Sequence, residues 1–361
     1  MSKKVVSINE TAITILAAVT KLNGKHIPIL QCVNVSTDKA GNLVAVASDL
    51  DNWVAVPVEN LTPGIYDIVG KELVKSAQPV KNFPEWQPKI QASYQGEGGY
   101  ATVTKNELVR VLSCISKEAS RYTLNGAYFS GARKTVGGVN LVSTDGHRLS
   151  LNCLAHSGTI PANTGKVVPK PFLALANKFL AKGESVRFDF GEEMVGFAIK
   201  GARFASRYLS GQFPNYEAVA TRKAKEQWIV WREQLIDALK TLKPYLKNAT
   251  HTSVSIVRTD KGLDLTAKSS EHSRTVSINA TIDKHPVDLT EQQSMSIVMP
   301  MRDADKGVTI GLNLEYLLEF ANTITGNTVV MAYTDPTTQI TISGNSFPHG
   351  EAEVEEESAA A

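Results

Sequence analysis

The chain has 361 residues, 42% of them apolar and 20% charged, with a net charge of +2. This composition suits a soluble globular protein of two or three domains, and no apolar run nears the roughly 18 residues that span a bilayer. The N-terminal text MSKKVVSINET lacks the apolar core of a signal peptide, so a cytoplasmic protein is expected.

In chain order, VVSINE reads as a strand and NETAITILAAVTK, from Asn9, as a helix. LQCVNVST, NLVAVASD and WVAVPV alternate as half-buried strands do, and KELVKSAQPVK from Lys71 reads as a second helix. YATVT precedes a helix from Lys105, KNELVRVLSCISK; AYFSGA, VNLVST and RLSLNCL precede another from Lys170, KPFLALANKFLAK. VRFDFG, VGFAIKG and RFASRYL follow, then a helix from Arg232, REQLIDALKTLK. SVSIVRT, LDLTAKS and RTVSINATI lead to the last helix, NLEYLLEFANTITG from Asn313, and VVMAYT and ITISG close the pattern. Strand, helix, then several strands recur as one unit, which predicts an α+β fold of antiparallel sheets carrying helices on one face.

Two helices per domain predict three repeated domains, 1–98, 99–222 and 223–350, with boundaries in the polar stretches QGEGG and TRKAK. The first is short, because its second helix begins only 34 residues before the next domain's first. The third carries an extra polar stretch around 283–306. The end, 351–361, is too acidic and too poor in large apolar residues to fold alone. Its segment EAEVEEE holds five glutamates; without them the net charge of +2 becomes +7, so the body is mildly basic.

Most of the helical segments carry a basic residue at or near the far end. The set is Lys21, Lys75, Lys81, Arg110, Lys117, Lys178, Lys182, Lys240, Lys243 and Lys247, while the sixth segment carries Glu315 and Glu319. Such a cation complements the helix dipole, but its recurrence also suits a shared surface for a polyanion. Cys32, Cys114 and Cys153 are odd in number and far apart, which predicts buried thiols rather than disulfides or a metal site. Trp53, Trp86, Trp228 and Trp231 are scattered and fit packing. Asp145-Gly146 is a tight-hairpin signal. Asp145 and His147 as an acid–base pair lack any accompanying nucleophile pattern, so no enzyme and no cofactor is expected.

RYTLNGAYFS (121–130), LVSTDGHRLSL (141–151), VVPKPFLALANKFL (167–180) and GQFPNYEAV (211–219) together resemble the bacterial β sliding clamp, the processivity factor of DNA polymerase III. LNGKHIPIL, IGLNLEYLLEF and TDPTTQITI are weaker echoes, in the family's order. The resemblance implies a head-to-tail homodimeric ring, sheets outside and helices lining a channel for double-stranded DNA, held without sequence specificity. It implies a DNA polymerase and a clamp loader as further partners, bound through short linear motifs, and no membrane. By resemblance, Leu124, Thr144, Gly146, His147, Arg148, Leu149, Pro214 and Val219 form one part of the motif pocket, and Asn313, Tyr316, Thr337 and Gln339 the far side. Lys25, Arg121 and Tyr122 match loop positions that reach toward DNA.

Three departures accompany the resemblance. Ala218 stands where the family usually has a basic residue, and the chain ends in acidic rather than apolar-basic text, with VMPMR (298–302) lying internally. The stretch missing late in the first domain is where the family closes its ring, and such drift would suit a phage or otherwise mobile replication system. The competing expectation is a clamp-like monomer that never closes and serves as an adaptor or decoy for clamp-binding motifs.

Overall fold

The computed structural model describes residues 5–6, 9–22, 27–92, 98–131, 138–154, 158–161, 164–220, 223–247, 252–288, 294–298, 310–335 and 338–345. The chain divides into two compact units: unit 1 is Met1–Val219 with Gln292–Ser294, and unit 2 is Ala220–Glu291 with Met295–Ala361. The acidic stretch 351–361 and most of 283–306 lie outside the described residues. Among the described residues, no helix is long and apolar enough to cross a membrane.

Unit 1 contains α1 (Glu10–Thr20), α2 (Gln87–Ala92), α3 (Lys105–Cys114) and α4 (Lys170–Phe179). Its larger sheet has eleven strands, six from residues before 80 and five from beyond 99. Strand Asn52–Pro57 pairs antiparallel with Ala202–Arg207 and so joins the two groups. Alternation along the strands sends side chains to opposite faces. Val33, Val35, Ala45, Ala47, Val54 and Val56 meet Ile15, Leu16 and Val19 of α1 on one face. Cys32, Val44, Val46, Trp53 and Ala55 face the other way, where Phe83, Trp86 and Ile90 cover them. The first two expected domains therefore share a core, in which Leu108 and Val111 of α3 and Phe172 and Leu173 of α4 join α1.

Local chemistry sets the helix ends. Thr104 caps α3 and forms a capping box with Glu107, whose carboxylate accepts from the Thr104 amide at 2.7 Å. Pro171 sits in the first turn of α4, where its missing N–H is harmless. A second sheet of unit 1 orders Lys166–Pro169, Gly126–Gly131, Val139–Thr144 and Arg148–Leu154 antiparallel. Unit 2 contains α5 (Arg232–Leu242) and α6 (Leu314–Thr323), packed on each other and on antiparallel strands around fully buried Trp228. The fold class is the expected one.

The segment from Lys71 is not a helix. Gly70, at φ +62°, turns the chain so that Val69 pairs with Glu72, and Glu72–Lys75 runs as a strand against Gly64–Val69. Leu73 and Val74 are both buried, as consecutive residues are in a strand covered on both faces. Pro79 then bars helix in the residue before it. The next helix, α2, lies on the opposite sheet face from α1. Two smaller expectations also change: Trp231 is exposed rather than packed, and Cys153 is half-buried where Cys32 and Cys114 are buried.

Phe197 is fully buried and stacks on Phe204 at 4.5 Å, with Phe172 at 4.8 Å and Phe188 at 5.5 Å. Phe197→Ala should lower stability by about 3–5 kcal/mol, read as the loss in urea unfolding free energy.

Candidate functional site

Three of the segments singled out in the sequence converge within unit 1. The loop between α3 and strand Gly126–Gly131 carries Arg121, Tyr122 and Leu124, and Tyr122–Leu124 forms a short 3-10 turn within it. A hairpin joins strands Val139–Thr144 and Arg148–Leu154. The third segment, 211–219, follows strand Ala202–Arg207 and contains the turn Tyr216–Ala218. Phe213 stacks on Tyr128 at 5.1 Å, and the Asn140 amide donates to the Tyr216 hydroxyl at 3.1 Å. Gly211 abuts Thr123 closely enough that a Cβ there would lie 2.7 Å from its methyl.

The hairpin is rigid for reasons visible in its residue types. Thr144 pairs with Leu149, and Gly146, in the turn between them, has φ +90°, as glycine does in hairpin turns. One Asp145 carboxylate oxygen accepts from the His147 and Arg148 amides, both at 3.0 Å. The Thr144 hydroxyl donates to the Arg148 carbonyl at 2.7 Å and accepts from the Gly146 amide at 3.1 Å. Arg148 is only 8% exposed; its Nε pairs with Asp145 at 3.1 Å and its Nη2 donates to the Ser113 carbonyl at the end of α3. Ser143 donates to the Val111 carbonyl at 2.8 Å, a second tie to α3.

Leu124 and Leu149 are buried, Thr144 is half-buried, and Gly146, His147, Pro214 and Val219 are exposed. The wall is thus a mixture of apolar floor and reachable rim, which short peptides need. Leu124 and Leu149 at the same time serve the core, so neither role excludes the other. In unit 2, Asn313 caps α6: its Oδ1 accepts from the Tyr316 amide at 3.2 Å and its Nδ2 donates to Thr252 at 3.0 Å. Tyr316 and Gln339 are half-buried, and Thr337 lies outside the described residues.

The basic set separates by environment. Lys117, Lys178 and Lys182 are exposed at the ends of the packed pair α3 and α4, and Arg121 and Tyr122 are exposed nearby in sequence. Lys240 and Lys247 are exposed on and just after α5, and Lys21 and Lys81 are exposed at the end of α1 and in a short 3-10 turn. Lys243 pairs with Glu315 of α6 at 3.0 Å, which takes up part of its charge. Arg110 is half-buried, donates to Asn152 at 3.0 Å, and burial pushes its pKa below the ordinary guanidinium value. It props the sheet rather than presenting itself to solvent. Lys75 sits on a strand, not a helix, and Lys25 lies outside the described residues.

Lys170, absent from the sequence-derived set, belongs to this neighbourhood. Burial lowers its pKa, and the charges of Lys117 and Arg148 lower it further. It opens α4 rather than closing a helix, so it falls outside the pattern of cations at helix C-termini.

Comparison with known proteins follows this geometry. Residues 101–215 match the family described as DNA polymerase III beta subunit, central domain. The beta sliding clamp of Treponema pallidum is 25% identical over 253 residues, covering 69% of this chain and 63% of that protein. The structure of the Caulobacter crescentus beta sliding clamp superposes with a TM-score of 0.69 at 21% identity, covering 95% of this chain and 96% of the other. A sliding clamp from Bartonella birtlesii, bound to griselimycin, gives 0.71 at 19% identity, over 95% and 100%. The chain has the fold of the bacterial β sliding clamps. The sequence match spans less than two thirds of the Treponema clamp. The matched family region holds the whole RYTLNG loop, the TDGHRL hairpin and Pro214.

Asp145→Ala should leave Arg148 charged and nearly out of water without its carboxylate. A loss of roughly 3 kcal/mol in unfolding free energy is expected, measured by urea denaturation.

Proposed function

We propose that this chain is a DNA sliding clamp: a homodimeric ring of six domains, three per subunit, that encircles duplex DNA. It tethers a replicative DNA polymerase for processive synthesis and receives a clamp loader through the same motif pocket. The observation that carries this reading is the arrangement in unit 1. There the hairpin and the 211–219 segment form a reachable wall, while the loop and helix ends next to it expose Lys117, Arg121, Tyr122, Lys178 and Lys182. The two surfaces have different chemistry and separate tasks. The wall is apolar with a few polar handles, suited to a linear motif. The cations are exposed and unspecific, suited to phosphates held weakly enough to slide.

Tethering needs no bond making. A ring that cannot leave DNA sideways keeps a weakly bound polymerase at high effective concentration near the primer end. Asp145 fits this role structurally, since its carboxylate is engaged by two amides and Arg148 rather than poised over a reactant. Unit 1 supplies the first and second domains and unit 2 the third. In unit 1 the surface for partner motifs takes Leu124, the hairpin, Pro214 and Val219, while Asn313, Tyr316, Thr337 and Gln339 are carried over from the family resemblance alone. The place of action is the cytoplasm.

One observation favours a second reading. α3 packs on α4 and α5 on α6, whereas the segment that should partner α1 is a strand. The first domain therefore carries half of the repeated unit, in the part of the chain that should close the ring. A monomer that binds clamp motifs without closing, an adaptor or decoy, would arise from that loss.

Retention on circular DNA separates the two. Loaded onto nicked circles, the protein should stay bound and then leave when the circle is cut; retention indifferent to cutting would rule out the ring. Single-particle electron microscopy should show closed rings with a hole wide enough for a duplex. Lys117→Glu with Lys182→Glu should shorten retention and leave motif-peptide binding unchanged; equal loss of both would contradict the division of surfaces.

A further inference from the structure

Unit 1 joins its two candidate surfaces through one side chain. Arg121 stands on the DNA-reaching loop and is exposed. Its Nη1 donates to the Asp145 carbonyl of the hairpin at 2.9 Å. The same nitrogen lies so close to Gly146 that a Cβ there would meet it at 2.4 Å. Its Nε pairs with Glu118 on its own loop at 2.8 Å. The guanidinium thus bridges the loop and the turn of the motif-binding hairpin.

The surroundings favour an anion. The charges of Lys117 and Arg148 both act on Lys170. Arg148 is answered by Asp145 and Arg121 by Glu118, both within short reach along the chain. A phosphate arriving here meets a local excess of positive charge. A guanidinium is a planar fork matched to phosphate oxygens, and a bond to an anion is stronger than one to a neutral carbonyl. Arg121 cannot clasp a phosphate with the same N–H that serves Asp145.

We propose that Arg121 is a positioning residue that couples DNA to the motif pocket. Off DNA it staples the hairpin to the loop; a backbone phosphate of duplex DNA takes it over, and the hairpin loosens. This inference rests on the sliding-clamp reading and adds its regulation: the wall that receives partners changes when a duplex is in place. By linkage, a partner that prefers the stapled hairpin weakens the grip on phosphate by the same factor.

The test is hydrogen exchange of the full-length protein with and without a linear duplex of about 30 base pairs at low salt, with DNA binding followed by anisotropy in the same samples. The amides of Gly146, His147 and Arg148 are the reporters, since each is held inside the hairpin. In the wild type, bound DNA should speed their exchange by roughly fivefold or more. Arg121→Ala should show the fast exchange without DNA and no further change with it. Arg121→Lys, which keeps the charge but loses the fork, should fall between. Lys117→Ala should bind DNA more weakly yet exchange like the wild type when free. Protection of the core strand Ser185–Phe190 shows that each variant is folded. Bound DNA with unchanged hairpin exchange would overturn the coupling and leave the clamp intact. Both Arg121 variants exchanging like the wild type without DNA would overturn the staple. No anisotropy change at low salt would overturn the coupling, while the retention assay on nicked circles decides the clamp reading separately.

Discussion

The apolar face that one eleven-stranded sheet presents to α1, α3 and α4 is the constraint on which unit 1 depends. Helices that must bury Ile15, Leu16, Leu108, Val111, Phe172 and Leu173 have little freedom to rotate. Their polar residues are thereby sent to the far side. Lys117, Lys178 and Lys182 reach solvent at the helix ends because the apolar stripe is satisfied first. The same packing fixes the end of α3, whose Val111 and Ser113 carbonyls anchor the hairpin through Ser143 and Arg148. Core packing and the hairpin are therefore one mechanical system.

The hairpin shows how a buried charge can specify a geometry. An arginine 8% exposed is tolerated because a carboxylate and a carbonyl receive it. That arrangement orders the turn more than it stabilises the fold. It also leaves His147 outside, with its backbone held and its side chain exposed. Arg121 adds a weaker, exposed tie from the neighbouring loop, and exposure is what makes such a tie exchangeable.

The short first domain is completed on the sheet's second face, by a segment that includes α2. After strand Glu72–Lys75 the chain crosses to the other face, where Phe83, Trp86 and Ile90 cover side chains that would otherwise meet water. This covering segment replaces part of a repeated unit, and it accounts physically for how so short a stretch still yields a closed core.

Five of the six expected helices were legible because each has an apolar stripe at helical spacing, and some add a clear start, such as Thr104 or Asn313. The strands were legible by alternation, and the hairpin by Asp145-Gly146. The pocket segments were legible through their likeness to a known family, since RYTLNG, TDGHRL and FPNYEAV are distant in sequence and nothing local says that they meet. The segment from Lys71 misled because ELVKSA suits a helix by composition; Gly70, Pro79 and a vacant sheet edge decided otherwise. Whether Arg110 faces solvent or props Asn152, whether Lys243 is answered by Glu315, and that Lys170 lies among other cations were all decided by the tertiary structure. The sequence alone determined which residues alternate, cap and turn, because those effects act over a few positions. Which cations are exposed, paired or crowded depends on neighbours tens of residues away, and only packing brings those neighbours together.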